Sequence, residues 1–282
     1  MEMKLMKKIK YLGIHFIAAM GALSTLLTIA VAIFPTINCP LLWIGGVVIS
    51  MIYAVAKSIK KKSVSIRLNQ NKIINIKQGN LFDQDGIIVI PVNDYFDTQN
   101  DDIIIAKRSV HGKFIDYYKK HYPQKNLGSE ISKAIVADGL TPSKTVTSRK
   151  RVSDNNHNQS YALGTIVRIS EKDKQFYLVV STEFDDDNHI IHQPEKQSMM
   201  YLEMMKNIDK YNSGVKVNMP LIGSGQTGLR QSKQEILTLM LQCFNFIDQY
   251  VTTGGTNIVI YPGDMKDISL NEVRYNFNSE IR

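Results

Sequence analysis

Positions 11–56 form an unbroken run of 46 residues without a single Asp, Glu, Lys or Arg, and nothing else in the chain limits its folding options as strongly. The run is too long for one membrane-spanning helix and suits two spans of about 20 residues joined by a turn. Pro35, Thr36, Ile37, Asn38, Cys39 and Pro40 supply that turn, with two helix breakers enclosing polar side chains. The expectation is a two-helix transmembrane hairpin within residues 1–62, with spans at about residues 11–34 and 41–57. A cleaved signal peptide is the rival, because lysines followed by an apolar run imitate its first two regions. The second apolar segment and the lack of a convincing small-residue cleavage site argue against it. Gly13, Ala18, Ala19, Gly21, Ala22 and Ser24, with Gly45 and Gly46 further on, give small-sided faces suited to close packing within the hairpin or between subunits.

Charge gives the hairpin its orientation. Residues 1–62 carry Lys4, Lys7, Lys8, Lys10, Lys57, Lys60, Lys61 and Lys62 against the single Glu2, which is +7 of the chain's formal +8. Lysines flank both ends and the central turn has no charge, so both termini are expected on the cytoplasmic side of the membrane. The other 220 residues carry a net charge of only +1, which is no basic footprint for nucleic acid. Cys39 and Cys243 lie far apart and outside any Cys-x-x-Cys or Cys/His spacing, so neither a disulfide framework nor a zinc site is expected.

Past Lys62 the pattern turns to alternating and then continuous β-branched runs, the beginning of a soluble α/β domain over residues 63–282. Strands are expected at 64–68, 72–78, 86–92, 103–106, 165–169, 176–181, 215–220 and 257–261. The apolar succession at 87–90 reads as a strand covered on both faces, hence a sheet with helices on either side. Helices are expected at 113–121, 194–211 and 232–250, the last opening with Ser232 and Glu235 at capping-box spacing. The polar stretch 141–160 reads as a mobile surface insertion.

Two segments carry the chemistry. The first is Asn218-Met219-Pro220-Leu221-Ile222-Gly223-Ser224-Gly225-Gln226-Thr227-Gly228, a strand running into three glycines ahead of a capped helix. Such a loop exposes backbone N–H groups able to wrap a phosphate or pyrophosphate, although glycines also make turns that bind nothing. It lacks both the Gly-Lys-Ser/Thr of a P-loop and the Gly-x-Gly-x-x-Gly spacing. The second is Gln78-Gly79-Asn80-Leu81-Phe82, followed by the buried strand ending in Asn93-Asp94. Polar groups at the end of a buried strand are where α/β sheets bind ligands, and the Asn93 amide can donate and accept towards a ribose. An Asn-Asp pair is also ordinary turn chemistry. Asp185, Asp186 and Asp187 are consecutive carboxylates that cannot all face one ion, so they read as a solvated turn rather than a metal site. No Ser-His-Asp or Cys-His set can be assembled, and no catalytic residue is assigned.

Together the two segments resemble the macro-domain family, whose first strand ends in a Gly-Asp-Ile-like step and whose next strand ends in asparagine. The resemblance implies a macro-like three-layer α/β/α domain with a mixed sheet. It also implies that Asn80 stands at the adenine-recognising position, Asn93 at the distal ribose, and Gly223, Ser224, Gly225, Gln226, Thr227 and Gly228 on the diphosphate. Asn80 replaces the usual aspartate, with Asp83 close enough in sequence to supplement it. The family's other glycine-rich phosphate loop is absent, and Ser109, Val110, His111 and Gly112 are the nearest candidates.

A membrane hairpin joined to a divergent macro domain is similar to the effector subunits of type II Thoeris anti-phage systems, and Leu163-Gly164-Thr165 agrees with that. The resemblance implies a non-catalytic effector with no cofactor, whose ligand is an ADP-ribose conjugate, histidine-ADP-ribose by that likeness. By the same likeness, a TIR-domain partner is expected to make the conjugate from NAD, and the homo-oligomeric hairpins then to damage the lipid of the bacterial inner membrane. Two alternatives stand beside it: a membrane-tethered ADP-ribosyl hydrolase and a static, membrane-anchored scaffold.

Overall fold

The computed structural model describes residues 2–37, 40–58, 62–68, 72–146, 149, 158–225, 231–248, 250 and 253–278. The chain divides into two compact units, Met1–Lys61 and Lys62–Arg282.

The first unit is two helices, α1 (Glu2–Ile33) and α2 (Pro40–Ser58), with a 3₁₀ turn at Pro35–Ile37. Within α1 the apolar run Leu12–Ile33 spans 22 residues at a mean hydropathy of 2.2, with none of it buried in protein. By length and composition this helix can cross a membrane. The expected second span is also helical, but its apolar part, Pro40–Ala56, is shorter than the roughly 20 residues that cross a bilayer. One crossing helix is therefore supported directly. The two helices touch along a stripe of small residues on α2. A Cβ at Gly46 would lie 3.5 Å from Leu27, and Ser50 and Ala54, at successive fourfold spacings, are buried. The Ser50 hydroxyl donates back to the Gly46 carbonyl at 2.8 Å, so its polarity is satisfied within the helix. Gly13, Gly21 and Gly45, expected to share in close packing, have no atom within 4 Å of where a Cβ would stand, and Leu41, Ile44 and Ile52 are exposed.

The second unit is built on a seven-stranded mixed sheet. Its strands are β1 (Ser63–Arg67), β2 (Ile73–Gln78), β3 (Ile87–Asn93), β6 (Ile166–Ser170), β7 (Gln175–Thr182), β8 (Val217–Pro220) and β9 (Thr256–Ile260). A separate two-residue pair, β4 (Lys144–Thr145) with β5 (Gln159–Ser160), stands apart. The order across the sheet is β1-β2-β9-β8-β3-β7-β6, with β2, β9, β8, β3 and β7 mutually parallel and the two edge strands antiparallel.

Helices cover both faces. Helix α5 (Gln197–Tyr211) and α6 (Lys233–Phe246) pack Met204, Ile208, Leu237 and Phe244 against Ile76, Val89, Met219 and Ile258 on one side. Helix α7 (Leu270–Asn278) adds Val273 to that layer. On the other side α3 (Val110–His121) and α4 (Leu127–Ala137) bring Phe114, Tyr118 and Ile131 onto Ile88, Ile90, Phe176 and Leu178. Burial on both faces explains why β3 reads as one apolar run instead of alternating.

Four expectations need correcting or refining. Residues 103–106 are not a strand: the Asp101 carboxylate accepts from the N–H of Ile103 (2.8 Å) and Ile104 (2.9 Å), and this local turn outcompetes the β-branched propensity. The helix expected to reach residue 250 ends at Phe246. Helices α4 and α7 were not expected individually. The stretch 141–160 is not merely superficial, since Val146, Arg149 and Ser160 are all buried.

Two prolines shape the middle of the sheet. Strands β3 and β8 pair only over Ile87↔Val217 and Ile88↔Asn218. Ile87 donates its N–H to the Lys216 carbonyl at 2.9 Å, so odd-numbered residues of β3 address β8; Val217 donates to Gly255, so even-numbered residues of β8 address β3. The next rungs would need an N–H from position 220 and then from position 91. Both positions are proline and have none, so the ladder stops.

Candidate functional site

Where the ladder stops, a cavity of about 630 Å³ opens at the carboxyl ends of the five parallel strands. This edge is where open α/β sheets take ligands. The wall follows the strand order. Gly79, Asn80, Leu81 and Phe82 come from the end of β2, Tyr261 and Asp264 from beyond β9, and Pro220 to Gly225 from the end of β8. Pro91, Val92 and Asn93 follow from β3, and Ser181 and Thr182 from β7. The ends of β2 and β3 are three strand spacings apart, about 14 Å at the usual interstrand distance.

Of the expected residues, Asn80, Asn93, Ser109, Val110, His111, Gly223, Ser224 and Gly225 all line this one cavity. Gln226, Thr227 and Gly228 lie outside the described residues. Gly112 is not a lining residue and has a packing role, since a Cβ there would sit 2.4 Å from the Ala106 carbonyl oxygen.

Asn80 caps a 3₁₀ turn, Leu81–Asp83. Its Oδ1 accepts from the Phe82 N–H at 3.3 Å and its Nδ2 donates to Asp83 at 2.9 Å, so Asp83 does sit beside it. Phe82 stacks on Tyr117 at 5.0 Å and 15° between planes, and Tyr117 stacks on His121 at 4.0 Å, an aromatic column ending at the cavity wall. In the glycine loop, Gly223 takes φ 89°, a left-handed conformation that favours glycine. The Ser224 hydroxyl turns back onto the Leu221 carbonyl at 2.7 Å, and the buried Tyr201 hydroxyl holds the Ile222 carbonyl at 2.7 Å. A Cβ at Gly225 would meet nothing within 4 Å.

The first turn of α3 lines the same cavity. Ser109 caps the helix, its hydroxyl accepting from Gly112 N–H at 2.9 Å, and Ser109, Val110 and His111 bring the helix's positive end to the cavity wall. Burial holds the His111 imidazole down at about 4, against the opposing pull of Asp97, so it is neutral at pH 7. Arg108 and Lys113, which sequence reasoning missed, also line the cavity, and the Lys113 ammonium lies 4.7 Å from the centre of the Tyr261 ring. The signal was available: a cation sits on either side of Ser109-Val110-His111-Gly112.

Asn93 is not the loose turn amide that its sequence context allows. Its Nδ2 donates to Asp97 Oδ2 at 2.9 Å and its Oδ1 accepts from Asp97 N–H at 3.1 Å. Asp97 is in turn held by Arg149, with both side chains wholly buried. The neighbouring Asp94 accepts from the Phe184 N–H at 3.1 Å, and its burial pushes its pKa up to about 7 against that hydrogen bond and the charge of Arg149. Asp185 accepts from the N–H groups of Asp187 (3.0 Å) and His189 (2.8 Å), which makes the acidic triplet a turn.

The comparisons with known proteins fall on this framework. The family model described as Thoeris protein ThsA, Macro domain, matches residues 74–261. The chain belongs to this family. Its sheet and two helical layers are those of a macro-type α/β/α fold. Thoeris protein ThsA of Bacillus amyloliquefaciens (strain Y2) is 26% identical over 242 residues, covering 83% of this chain and 77% of that protein. Among solved structures, the Oceanobacillus iheyensis macrodomain with ADP aligns over 77% of this chain and 97% of that one, at 13% identity and a TM-score of 0.45. The macrodomain of Mycobacterium tuberculosis DarG aligns over 68% of this chain and 98% of that one, at 15% identity and a TM-score of 0.40.

Proposed function

We propose that the chain is a membrane-anchored anti-phage effector whose macro domain binds an ADP-ribose-derived signal without turning it over. The observation that carries this reading is the linear order of chemistry along the sheet edge. An amide and an aromatic ring stand at the β2 end, the glycine loop after β8 lies between, and a fixed amide stands at the β3 end, with the N-terminus of α3 also lining the cavity. A nucleoside, a diphosphate and a second ribose, joined in that order, present the complementary groups in the same sequence. The cations Arg108 and Lys113, which also line the cavity, complement a diphosphate's charge.

The family membership and the resemblance to type II Thoeris effectors extend the reading to its source and outcome. The ligand is a histidine-ADP-ribose conjugate made by a TIR-domain partner, and its arrival leads to disruption of the bacterial inner membrane by the N-terminal helices. Both lysine-rich flanks lie on the cytoplasmic side, the shorter α2 completing a two-span hairpin. A helix with less than a full apolar span is accommodated by local thinning of the bilayer or by association with other helices.

The test is calorimetric titration of the full-length chain in detergent with ADP-ribose and with the histidine conjugate, followed by chromatography of the recovered ligand. Saturable binding with intact conjugate is expected. Release of free ADP-ribose would replace the sensor with a hydrolase, and no binding of either compound would remove the nucleotide reading altogether.

A further inference from the structure

We infer that Arg149, delivered from the polar stretch 141–160, is a positioning residue of the binding site and fixes the Asn93 amide through Asp97. The inference rests on the nucleotide reading above and goes beyond it, since Arg149 itself does not line the cavity. Its guanidinium grips Asp97 with two parallel hydrogen bonds, Nη1 to Oδ1 at 3.0 Å and Nη2 to Oδ2 at 2.5 Å. Its Nε donates to Asn188 Oδ1 at 2.8 Å, and its Cζ lies 3.7 Å from the centroid of the Tyr95 ring. These contacts constrain one planar cation in both position and tilt.

The Oδ2 of Asp97 that receives Nη2 is the same oxygen that receives the Asn93 amide. An asparagine side chain has two N–H donors and two acceptor lone pairs. Asp97 engages one of each, and so sets the direction in which Asn93 presents the remainder to the cavity. Asn188 belongs to the turn that separates Phe184 from Ile190, both of which line the cavity, so Arg149 ties the two walls at the β3 and β7 end to one group. A buried ion pair adds little net stability over a well-packed apolar pair of the same size. What this pair supplies is orientation, and it acts at the end of the cavity that an ADP-ribose reaches and an ADP does not.

That difference supplies the test. Affinities of the full-length chain in detergent for ADP-ribose and for ADP are measured by calorimetry in the unmutated protein and in Arg149→Lys, which keeps the charge and loses the fork. They are measured also in the double variant Arg149→Met with Asp97→Asn, which leaves no lone buried charge. The expected result is ADP affinity within about twofold of the unmutated chain and ADP-ribose affinity reduced by about fivefold or more, the effect of one misdirected hydrogen bond. Asn93→Ala should reproduce the same selective loss. An unchanged ratio of the two affinities in variants that keep a cooperative melting transition overturns the inference, and so does an equal loss for both ligands. If the unmutated chain binds neither nucleotide, the functional reading falls and takes this inference with it; a preserved ratio removes only the role of Arg149.

Discussion

Asp94 follows the cavity end of β3, His111 lines the cavity, and burial shifts their pKa values in opposite directions. Burial lifts the Asp94 pKa from its ordinary value of 3.8 to about 7, so the stability it contributes as a neutral acid is withdrawn progressively as pH rises from about 4 to 7. Burial lowers His111 from 6.5 to about 4, so its contribution is present above pH 6.5 and is lost as pH falls towards 4. At about 1.4 kcal/mol per pKa unit each effect amounts to a few kcal/mol, and between pH 4 and 6.5 the two slopes oppose each other. Asp94→Asn keeps an acceptor for the Phe184 N–H and removes the charge. The variant is expected to melt higher than the parent at pH 8 and to lose stability steeply between pH 6.5 and 4, where the parent curve is flatter. Parallel melting curves across that range would show that Asp94 is ionised in the fold at a normal pKa. At this scale the sequence was only half legible. Asn80 and Asn93 could be picked out because polar residues closing a buried strand are conspicuous. The Arg149–Asp97 pair could not, since its members stand 52 positions apart and each looks like an ordinary solvated residue.

Elements were read best where one physical signal dominated. The two-sided burial of β3 and the capping box of α6 both left local patterns, and Ser232 and Glu235 make the reciprocal bonds that their spacing implied. Residues 103–106 misled because β-branched composition says nothing about an aspartate two residues upstream that captures the backbone. Helix α4 was not placed individually although Asn126 caps it, accepting from the Ser129 N–H at 3.0 Å, and Leu127, Ile131 and Ile135 recur at helical spacing. Pro91 and Pro220 were visible in the sequence, but their meaning was not. Only the pairing of β3 with β8 reveals that the two missing N–H groups face one another and end the same ladder. The glycine loop just beyond offers a clean test, since Gly225 has open space around a Cβ position and a substitution there leaves packing intact. Gly225→Val is expected to place a branched side chain over the loop amides and weaken ADP-ribose binding by more than about tenfold, or about 1.4 kcal/mol, with the melting temperature unchanged. Unaltered affinity in calorimetry would move the diphosphate away from this loop.

For the whole molecule the sharp contrast between an uncharged N-terminal run and a nearly neutral α/β domain leads to a separation of roles. Deleting residues 1–62 is expected to leave a folded domain that binds nucleotide and no longer harms cells supplied with the signal; toxicity retained by the truncated chain would exclude the membrane mechanism. How binding reaches the membrane is the remaining step. A ligand can shift only an equilibrium whose two states it binds differently, so some two-state element must respond to occupancy. Two helices per chain cannot line a pore alone. The small-residue stripe Gly46, Ser50 and Ala54 is already used between α1 and α2, whereas Gly21 is exposed and Gly13 and Gly45 have open space at the Cβ position, which suits them to contacts with other copies. Under the proposed function, gathering several macro domains would raise the effective concentration of their helices and so favour association in the bilayer. The expected outcome is that light scattering or crosslinking of the detergent-solubilised chain shows larger species only when the ADP-ribose conjugate is present. Gly21→Leu, which adds bulk to an uncovered face, should bind the conjugate normally and fail to form those species. Identical size distributions with and without ligand, alongside confirmed binding, would rule out ligand-driven assembly and leave a constitutive oligomer whose helices tilt on binding.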